Sequence, residues 1–372
     1  MFRDIDKLLN ANPGLTGREI AKRLGFDKKK VNSFLSRNGH LFNQDKDYKW
    51  FQSKNRTFVL SLPADAWITQ EGFEDALSES GNPLDGTYKE AVITFPKNCS
   101  LMMVAIARML SLLNQLSSRN LAVTIDLTKC KNTRTFLNRS GFFDLLDLKI
   151  IVLPCRPQPG NSDAVKYQDN SQSLVEFGAI DIGSTESEIS KLIKRLGQRF
   201  VSEASNDYLP VIMTVFSELI NNVKEHSNSR IPGFAALQSY NGRGRKKHIQ
   251  TVISDSGLGV VATLRATLEG NYPKLHEKFP AGSLGSDIAL VEYVFSNGRI
   301  SRHGSKEGRG LGFESSRRQA SKNEALLIIR QTYFSIELNY KDGELVSKNV
   351  KDNLSLINGT HICFDFFIDT PE

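Results

Sequence analysis

The residues best suited to chemistry lie in one stretch, Val211 to Ser227, with the sequence VIMTVFSELINNVKEHS. Glu218 and Asn222 are four residues apart, so a helix would place both on one face, which Glu225 and His226 extend. A carboxylate and a carboxamide one turn apart can serve a water molecule and a metal-bound phosphate. An amphipathic helix with a polar edge and no chemistry is the competing interpretation.

Hydrophobic spacing predicts the helix that would position these side chains. Pro210 comes directly before the stretch, and proline is tolerated in the first turn of a helix. Apolar residues then recur at helical spacing and predict a face that packs into a core. They are Ile212, Phe216, Leu219 and Val223.

Two glycine-containing motifs follow this helix in the chain. The first, TVISDSGLG over residues 251–259, is a β-branched run that predicts a strand and ends in D-x-G-x-G. The second, EGRGLGF over residues 307–313, precedes a helix-like stretch. A single D-x-G-x-G is a weak signal, whereas the order of helix with E-x-x-x-N, strand with D-x-G-x-G and then G-x-G-x-G is specific.

This order resembles the superfamily of gyrases, heat-shock chaperones, histidine kinases and mismatch-repair ATPases, called GHKL, over roughly residues 184–369. The resemblance implies an α/β sandwich of the Bergerat type, a mixed sheet with helices on one face, that holds ATP and Mg²⁺ under a mobile lid. The matching residues are Glu218 and Asn222 for the asparagine box, Asp255, Gly257 and Gly259 for the first glycine box, Gly308, Gly310 and Gly312 for the second, and Gly359-Thr360 for the closing G-T pair.

The resemblance also implies a role for each residue of the site. Glu218 would orient and deprotonate the attacking water, and Asn222 would give a neutral oxygen to Mg²⁺. Asp255 would accept the adenine amino proton beside the two glycines of its motif, with support from Thr360 through water. A solvated helix carboxylate is the alternative for Glu218, and a buried asparagine that satisfies backbone groups is the alternative for Asn222.

The second glycine box and the segment before it would cover the phosphates. Gly308, Gly310 and Gly312 would present backbone N–H groups at a helix start. The lid would extend over roughly residues 260–307, with a predicted helix over residues 285–296. Its candidates for closing on the phosphates are Arg299, Arg302, His303, Lys306 and Arg309. A solvated basic loop is the alternative for each of these residues.

One departure separates the chain from the histidine kinases of the family. Those kinases commonly carry a lysine three residues after the asparagine, where this chain has Glu225. None of the six histidines has the context of a helical hairpin with a following acidic residue. The sequence therefore argues against autophosphorylation on histidine.

Basic residues concentrate at the amino-terminal end. The net charge is +7, and residues 1–56 hold thirteen lysines and arginines against six acidic residues, so the remainder is formally neutral. A first helix is predicted over Phe2 to Asn10. Thr16-x-x-Glu19 is a capping box that predicts the start of a second helix, and Asp27 is the predicted cap of a third. A hairpin is predicted after the third helix. Residues 1–60 resemble a winged helix-turn-helix, with T-x-x-E-I-A-x-x-L-G as the most telling run.

The third helix of this segment is the predicted DNA-binding element. It would enter a major groove, with lysines on phosphates and Asn32 or Ser33 at base edges. The predicted DNA-binding residues are Lys28, Lys29, Lys30, Asn32, Ser33 and Arg37. A winged helix used for protein contacts is the alternative.

The middle of the chain is less specific. Residues 61–88 are acidic and turn-rich and predict a connector, and residues 89–172 show a β-α-β-α order before the ATPase-like unit over residues 173–372. This middle unit resembles, more weakly, the STAS domain of sulfate transporters and anti-sigma-factor antagonists. The family's phosphorylated serine is missing from the matching turn, KCKNTRT, so Thr133 or Thr135 would have to replace it. A packing and dimerisation domain without chemistry is the alternative.

Composition and length set the general class. The 372 residues, 40% hydrophobic and 24% charged, predict a multidomain globular α/β protein. No apolar run reaches the roughly 18 residues of a membrane span, and the start has no signal-peptide pattern. Four scattered cysteines fit a reducing compartment, so a cytoplasmic protein without a membrane partner is expected.

Three functions compete on these grounds. The first is an ATPase that acts as a nucleotide-gated regulator and is associated with DNA. The second is a serine/threonine protein kinase of the anti-sigma-factor type, acting on a STAS-type partner or on its own middle unit. The third is an adaptor that senses nucleotide without turnover and assembles with a protein effector. A homodimer is compatible with all three.

Overall fold

Strand and helix segments combine into a mixed α/β protein that contains a four-stranded parallel sheet and a seven-stranded antiparallel sheet among its described residues. The computed structural model describes residues 1–39, 41–53, 56–84, 88–241, 246–297, 324–342 and 344–368. Within those ranges, no helix is both long and apolar enough to cross a bilayer.

The helices and strands follow one another along the whole chain. The helices are α1 Phe2–Ala11, α2 Gly17–Leu24, α3 Lys28–Arg37, α4 Gln70–Ser80, α5 Met103–Ser118, α6 Lys131–Arg139, α7 Phe142–Leu145, α8 Asp163–Lys166, α9 Glu186–Glu203, α10 Leu209–His226, α11 Gly259–Asn271, α12 Pro273–Lys278 and α13 Leu284–Asn297. The strands are β1 Leu15–Thr16, β2 Phe42–Gln44, β3 Lys49–Gln52, β4 Arg56–Ser61, β5 Trp67–Ile68, β6 Tyr88–Thr94, β7 Ser100–Leu101, β8 Ala122–Asp126, β9 Ile151–Leu153, β10 Leu174–Ile180, β11 Gly233–Tyr240, β12 Lys247–Ser254, β13 Glu324–Gln331, β14 Phe334–Lys341, β15 Glu344–Lys351 and β16 His361–Ile368.

Helices α1 to α3 and the small sheet β1-β3-β2 form the amino-terminal unit. The predicted capping box is confirmed, because the Glu19 N–H donates to Thr16 Oγ1 while the Thr16 N–H donates to the Glu19 carboxylate. The predicted cap of α3 is also confirmed, since the Lys30 N–H donates to Asp27 Oδ1 at 3.0 Å. The β2–β3 hairpin forms as predicted.

Residues 61–88, predicted as a connector, contain a helix with a buried face. In α4, Phe73 and Leu77 are fully buried. Glu74 is buried as well, and its Oε1 lies 2.9 Å from Arg108 of α5. The acidic composition of the segment conceals this helix, because one of its carboxylates is an interior ion-pair partner.

The parallel sheet of the middle unit has the order β4-β6-β8-β9. Its first strand, β4, precedes the predicted bounds of this unit and pairs in parallel with β6. After β8 the chain forms two short helices, α6 and α7, in place of the single helix that a β-α-β-α order would contain. Gly141 lies between them with φ +83°, in the left-handed region that favours glycine and ends helices.

The antiparallel sheet has the order β10-β11-β12-β16-β13-β14-β15. Ser254, the last residue of β12, pairs with His361, the first residue of β16, and Arg330 near the end of β13 also pairs with His361. The residues that follow β12 and those that precede β16 therefore meet at one edge of the sheet.

Helices cover both faces of the antiparallel sheet, so the expectation of a mixed sheet with helices on one face is wrong, because α5 of the middle unit packs on the second face. Ala235 and Ile253 share a core with α9 and α10 on one face. Phe234 and Val252 share a core with α5 on the opposite face. Successive strand residues point to opposite faces, so each strand contacts both layers. Because α5 also packs on the parallel sheet, the middle unit and the antiparallel sheet share one hydrophobic core.

Candidate functional site

Two turns meet where β12 ends and β16 begins, and they hold Asp255 and Thr360. The Asp255 N–H donates to the Thr360 carbonyl oxygen at 2.9 Å. The Thr360 N–H in turn donates to Asp255 Oδ2 at 3.1 Å, and the Gly257 N–H donates to Oδ1 at 2.7 Å. Backbone donors therefore orient both oxygens of the carboxylate.

The carboxyl of Asp255 is buried, with 7% of the residue exposed. Burial raises its pKa to about 6, although the N–H groups of Gly257 and Thr360 oppose the rise. Burying an ionised carboxyl costs free energy, so strongly shifted carboxyls concentrate at functional sites. Asp255 is a buried carboxyl with a raised pKa of this kind.

Gly257 lies too close to the end of α10 to carry a side chain. A Cβ atom there would lie 1.7 Å from the carbonyl oxygen of Ser227, which directly follows α10. The Leu258 N–H donates to the same oxygen at 3.2 Å. The D-x-G-x-G turn therefore contacts the end of the helix that carries Glu218 and Asn222.

Two side chains fix the start of α11, one at the end of β13 and one directly before β16. Gly259 begins this helix with φ +78°. The next N–H group, of Val260, donates to Thr360 Oγ1 at 3.0 Å and to Gln331 Oε1 at 3.2 Å. Gln331 is buried at the end of β13 and was not predicted, because its place depends on a strand pairing that the sequence pattern does not reveal.

Glu218 lies on the polar side of α10 and is half-buried. Its Oε2 atom is buried and has no hydrogen-bond partner among the residues that the structure describes. Burial raises the pKa of this carboxyl above its ordinary value. An unpaired carboxylate with raised proton affinity can accept a proton from a bound water.

Asn222 is exposed one turn beyond Glu218, so the alternative of a buried asparagine is wrong. Its amide oxygen is a hard donor that suits Mg²⁺, an ion that proteins often bind through one or two side chains while phosphates and waters supply the rest. No group of three or more His, Cys, Asp or Glu residues that could hold a metal occurs in the described ranges. The exposed Asn222 amide is chemically suited to supply one oxygen ligand to such an ion.

The second glycine box lies outside the described residues. The same applies to the basic lid candidates, and the full set comprises Gly308, Gly310, Gly312, Arg299, Arg302, His303, Lys306 and Arg309. The helix predicted before them is confirmed as α13. Arg265 of α11 holds this helix by donating to Asp287 Oδ1 at 2.8 Å.

Helix α3 presents its basic side to solvent. The exposed candidates are Lys28, Lys29, Lys30, Ser33 and Arg37. Asn32 is half-buried, and a Cβ atom on Gly17 would lie 1.8 Å from its Oδ1 atom. The Asn32 amide therefore lies against the start of α2, which leaves Ser33 as the more accessible of the two residues predicted to reach base edges.

The two threonines of the KCKNTRT turn differ in accessibility. Thr133 is buried, with Oγ1 2.8 Å from Cys130 Sγ. Thr135 is exposed, and its hydroxyl donates to the Lys131 carbonyl oxygen at 3.1 Å. Only Thr135 offers a surface hydroxyl here. The thiols of Cys130 and Cys99, distant in sequence, lie 3.3 Å apart.

Comparison with known proteins adds no family or relative. No model of a known protein family matches the sequence, and no curated protein matches it. The assignment of a function therefore depends on the residues and the geometry of this chain.

Proposed function

We propose that this chain is an ATPase of the GHKL type that acts as a nucleotide-gated regulator and binds DNA through its basic amino-terminal unit. One observation carries the proposal: the asparagine-box helix, the D-x-G-x-G turn and the G-T pair, distant in sequence, are in contact. Ser227 contacts Gly257, the Asp255 N–H donates to the Thr360 carbonyl oxygen, and the Thr360 N–H donates to the Asp255 carboxylate.

At the adenine end, Asp255 would accept the proton of the adenine amino group. Its buried carboxylate already receives N–H groups from Gly257 and Thr360, so its orientation needs no rearrangement when the base arrives. Each carboxylate oxygen has a second lone pair for the ligand. A side chain at Gly257 would overlap the Ser227 carbonyl oxygen, so this glycine lets the turn that holds Asp255 pack against the end of α10.

At the phosphate end, Glu218 would orient the attacking water and take its proton. The unpaired Oε2 atom and the raised pKa support this role. Asn222 would hold Mg²⁺ through its amide oxygen, and the ion would neutralise phosphate charge. The exposed position of Asn222 on the same side of α10 supports this arrangement.

Incubation of the full chain with γ-labelled ATP and Mg²⁺ tests the proposal. Release of labelled phosphate is the expected result. Label transferred to the protein would instead favour the kinase, for which Thr135 of the middle unit is the accessible acceptor. If ATP binds but neither free phosphate nor labelled protein forms, the result would favour the adaptor that senses nucleotide without turnover.

The DNA-binding part has its own prediction. Replacing Lys29 and Lys30 with glutamate should weaken binding to duplex DNA by about tenfold or more, because phosphate contacts supply most of such affinity. The slope of log affinity against log salt should fall by about 1.8, as expected for two lost phosphate contacts. Fluorescence anisotropy with a labelled duplex measures both quantities.

The matched control makes the same charge change on an exposed helix face elsewhere. Lys191 and Lys194 of α9 are exposed, and their double replacement with glutamate should leave DNA affinity close to that of the unmodified chain. If both double variants lost DNA affinity equally, or if DNA binding did not depend on salt, the proposed DNA contact would be wrong. The amino-terminal unit would then be assigned to protein contacts.

A further inference from the structure

Helix α5 of the middle unit packs on the face of the antiparallel sheet that is opposite to α10, which carries Glu218. Residues 103–117 of this helix are all buried, because it lies between the parallel and the antiparallel sheets. Arg108, Ser111 and Gln115 recur at helical spacing and lie on the side of α5 that faces the antiparallel sheet. Arg108 lies beside Glu74, which also binds Arg330 of β13, and Ser111 Oγ lies 3.5 Å from His361 Nδ1.

Gln115 makes the most direct of these contacts. Its Nε2 atom donates to Ser256 Oγ at 3.1 Å and to the Asn358 carbonyl oxygen at 3.0 Å. Its Oε1 atom accepts from the Asn358 backbone N–H at 2.9 Å and from Asn358 Nδ2 at 3.2 Å. The residue is 2% exposed, so one buried carboxamide joins two turns that are about a hundred residues apart in sequence.

These two turns are the ones that hold the candidate adenine-binding pair. Ser256 directly follows Asp255, and Asn358 lies two residues before Thr360. A shift of either turn would change the distance between Asp255 and Thr360, and with it the direction of the carboxylate. The preceding carboxamide of α5, Asn114, faces the other way, since its Nδ2 donates to the Leu145 carbonyl oxygen within the middle unit.

We propose that Gln115 is a positioning residue for adenine recognition, so that the middle unit completes the nucleotide site. The inference rests on the proposed function, because it acts through the contact between Asp255 and the adenine amino group. Gln115 itself lies behind the turns and orients them. By linkage, a nucleotide that prefers the oriented turns also stabilises the packing of α5 against them, which gives the middle unit a way to respond to ATP.

The test compares two ligands that differ only in the amino group. Calorimetry with ATP and with purine riboside triphosphate, both with Mg²⁺, gives an affinity ratio that reports the amino contact and cancels the phosphates. Gln115→Met keeps the size of the side chain and removes its four hydrogen bonds. We expect this variant to bind ATP about tenfold more weakly, which corresponds to about 1.4 kcal/mol, and to bind the other ligand nearly unchanged.

Asn114→Leu is the matched control on the same buried helix. It should lower the melting temperature and leave the ratio of the two affinities unchanged, because its contacts lie within the middle unit. If Gln115→Met does not fold, Ser256→Ala removes only the hydroxyl that accepts from Gln115, and it should reduce the ratio by about threefold.

The outcomes separate this inference from the proposed function. Failure of the unmodified chain to bind ATP, or to prefer it over purine riboside triphosphate, would contradict the proposed adenine contact. A clear preference that survives in both Gln115→Met and Ser256→Ala would overturn the role of Gln115 alone. Loss of the preference in Asn114→Leu as well would show that general destabilisation is responsible.

Discussion

The two ends of the candidate site hold their carboxylates in different ways. At the proposed adenine end, Asp255 is buried and accepts hydrogen bonds from the backbone N–H groups of Gly257 and Thr360. At the phosphate end, Glu218 is half-buried on a helix surface, with one oxygen that has no partner among the described residues. Burial raises the pKa of both carboxyls, and hydrogen bonds from backbone N–H groups oppose this rise only at Asp255.

Under the proposed function, this difference predicts separate roles for the two carboxylates. A carboxylate that must recognise one ligand group benefits from a fixed direction, which backbone donors supply. A carboxylate that must take up and release a proton benefits from an oxygen that no protein donor occupies. The two ends of the site can therefore be tested separately, because one should control affinity and the other turnover.

The largest expected effect is on turnover at the phosphate end. Glu218→Gln should lower the rate of ATP hydrolysis by about 10²- to 10⁴-fold, the usual contribution of a general base. ATP affinity should change little, because the substitution keeps the size of the side chain. Phosphate release under saturating ATP measures the first quantity, and calorimetry measures the second. If this variant hydrolysed ATP at an unchanged rate, Glu218 would not be the general base.

The next effect concerns affinity at the adenine end. Asp255→Ala should weaken ATP binding by about 10- to 100-fold, because it removes a charged hydrogen-bond acceptor. It should also abolish the preference for ATP over purine riboside triphosphate. Calorimetry with both ligands is the measurement. If the two substitutions lowered ATP affinity equally, the division of labour between the two ends would be wrong.

A smaller effect should appear when pH changes. The pKa of Asp255 is about 6, so the ionised acceptor prevails above pH 6 and the protonated carboxyl below it. The preference for ATP should therefore fall by up to about tenfold between pH 7.5 and pH 5. Phosphate titration affects both ligands equally and cancels in the ratio. A ratio that stays constant over this range would show that the charge on Asp255 plays no part.

The same pKa has a consequence for stability, with a definite sign. The folded-state pKa lies above the value of about 3.9 for an unfolded aspartate, so the folded state binds this proton more tightly. The contribution of Asp255 to stability is fully present below pH 3.9 and is lost as the pH rises through about 6. The ionised carboxylate thus lowers stability at neutral pH.

Local patterns in the sequence predicted the elements that carry the site. Helical spacing predicted α10, a β-branched run before D-x-G-x-G predicted the end of β12, and the caps at Thr16 and Asp27 were confirmed. These features depend on residues within a few positions of each other. For that reason they could be predicted before any tertiary contact was known.

Other parts depend on pairings across the chain and could not be predicted. Gln331 and Gln115 contact the site only because β13 pairs with β16 and α5 packs behind the antiparallel sheet. An isolated glutamine in an apolar helix or strand carries no local signal of such a contact. The burial of Glu74 in α4 was concealed similarly, because its arginine partners lie 34 and 256 residues away.

Photochemical labelling tests the central claim most directly, which is that the distant segments form one nucleotide pocket. The full chain would be irradiated with 8-azido-ATP and Mg²⁺, and the labelled peptides would be identified by mass spectrometry. We expect label within residues 255–260 or 358–360, and we expect excess ATP to prevent this labelling. Label confined to other segments, or label that ATP does not displace, would contradict it.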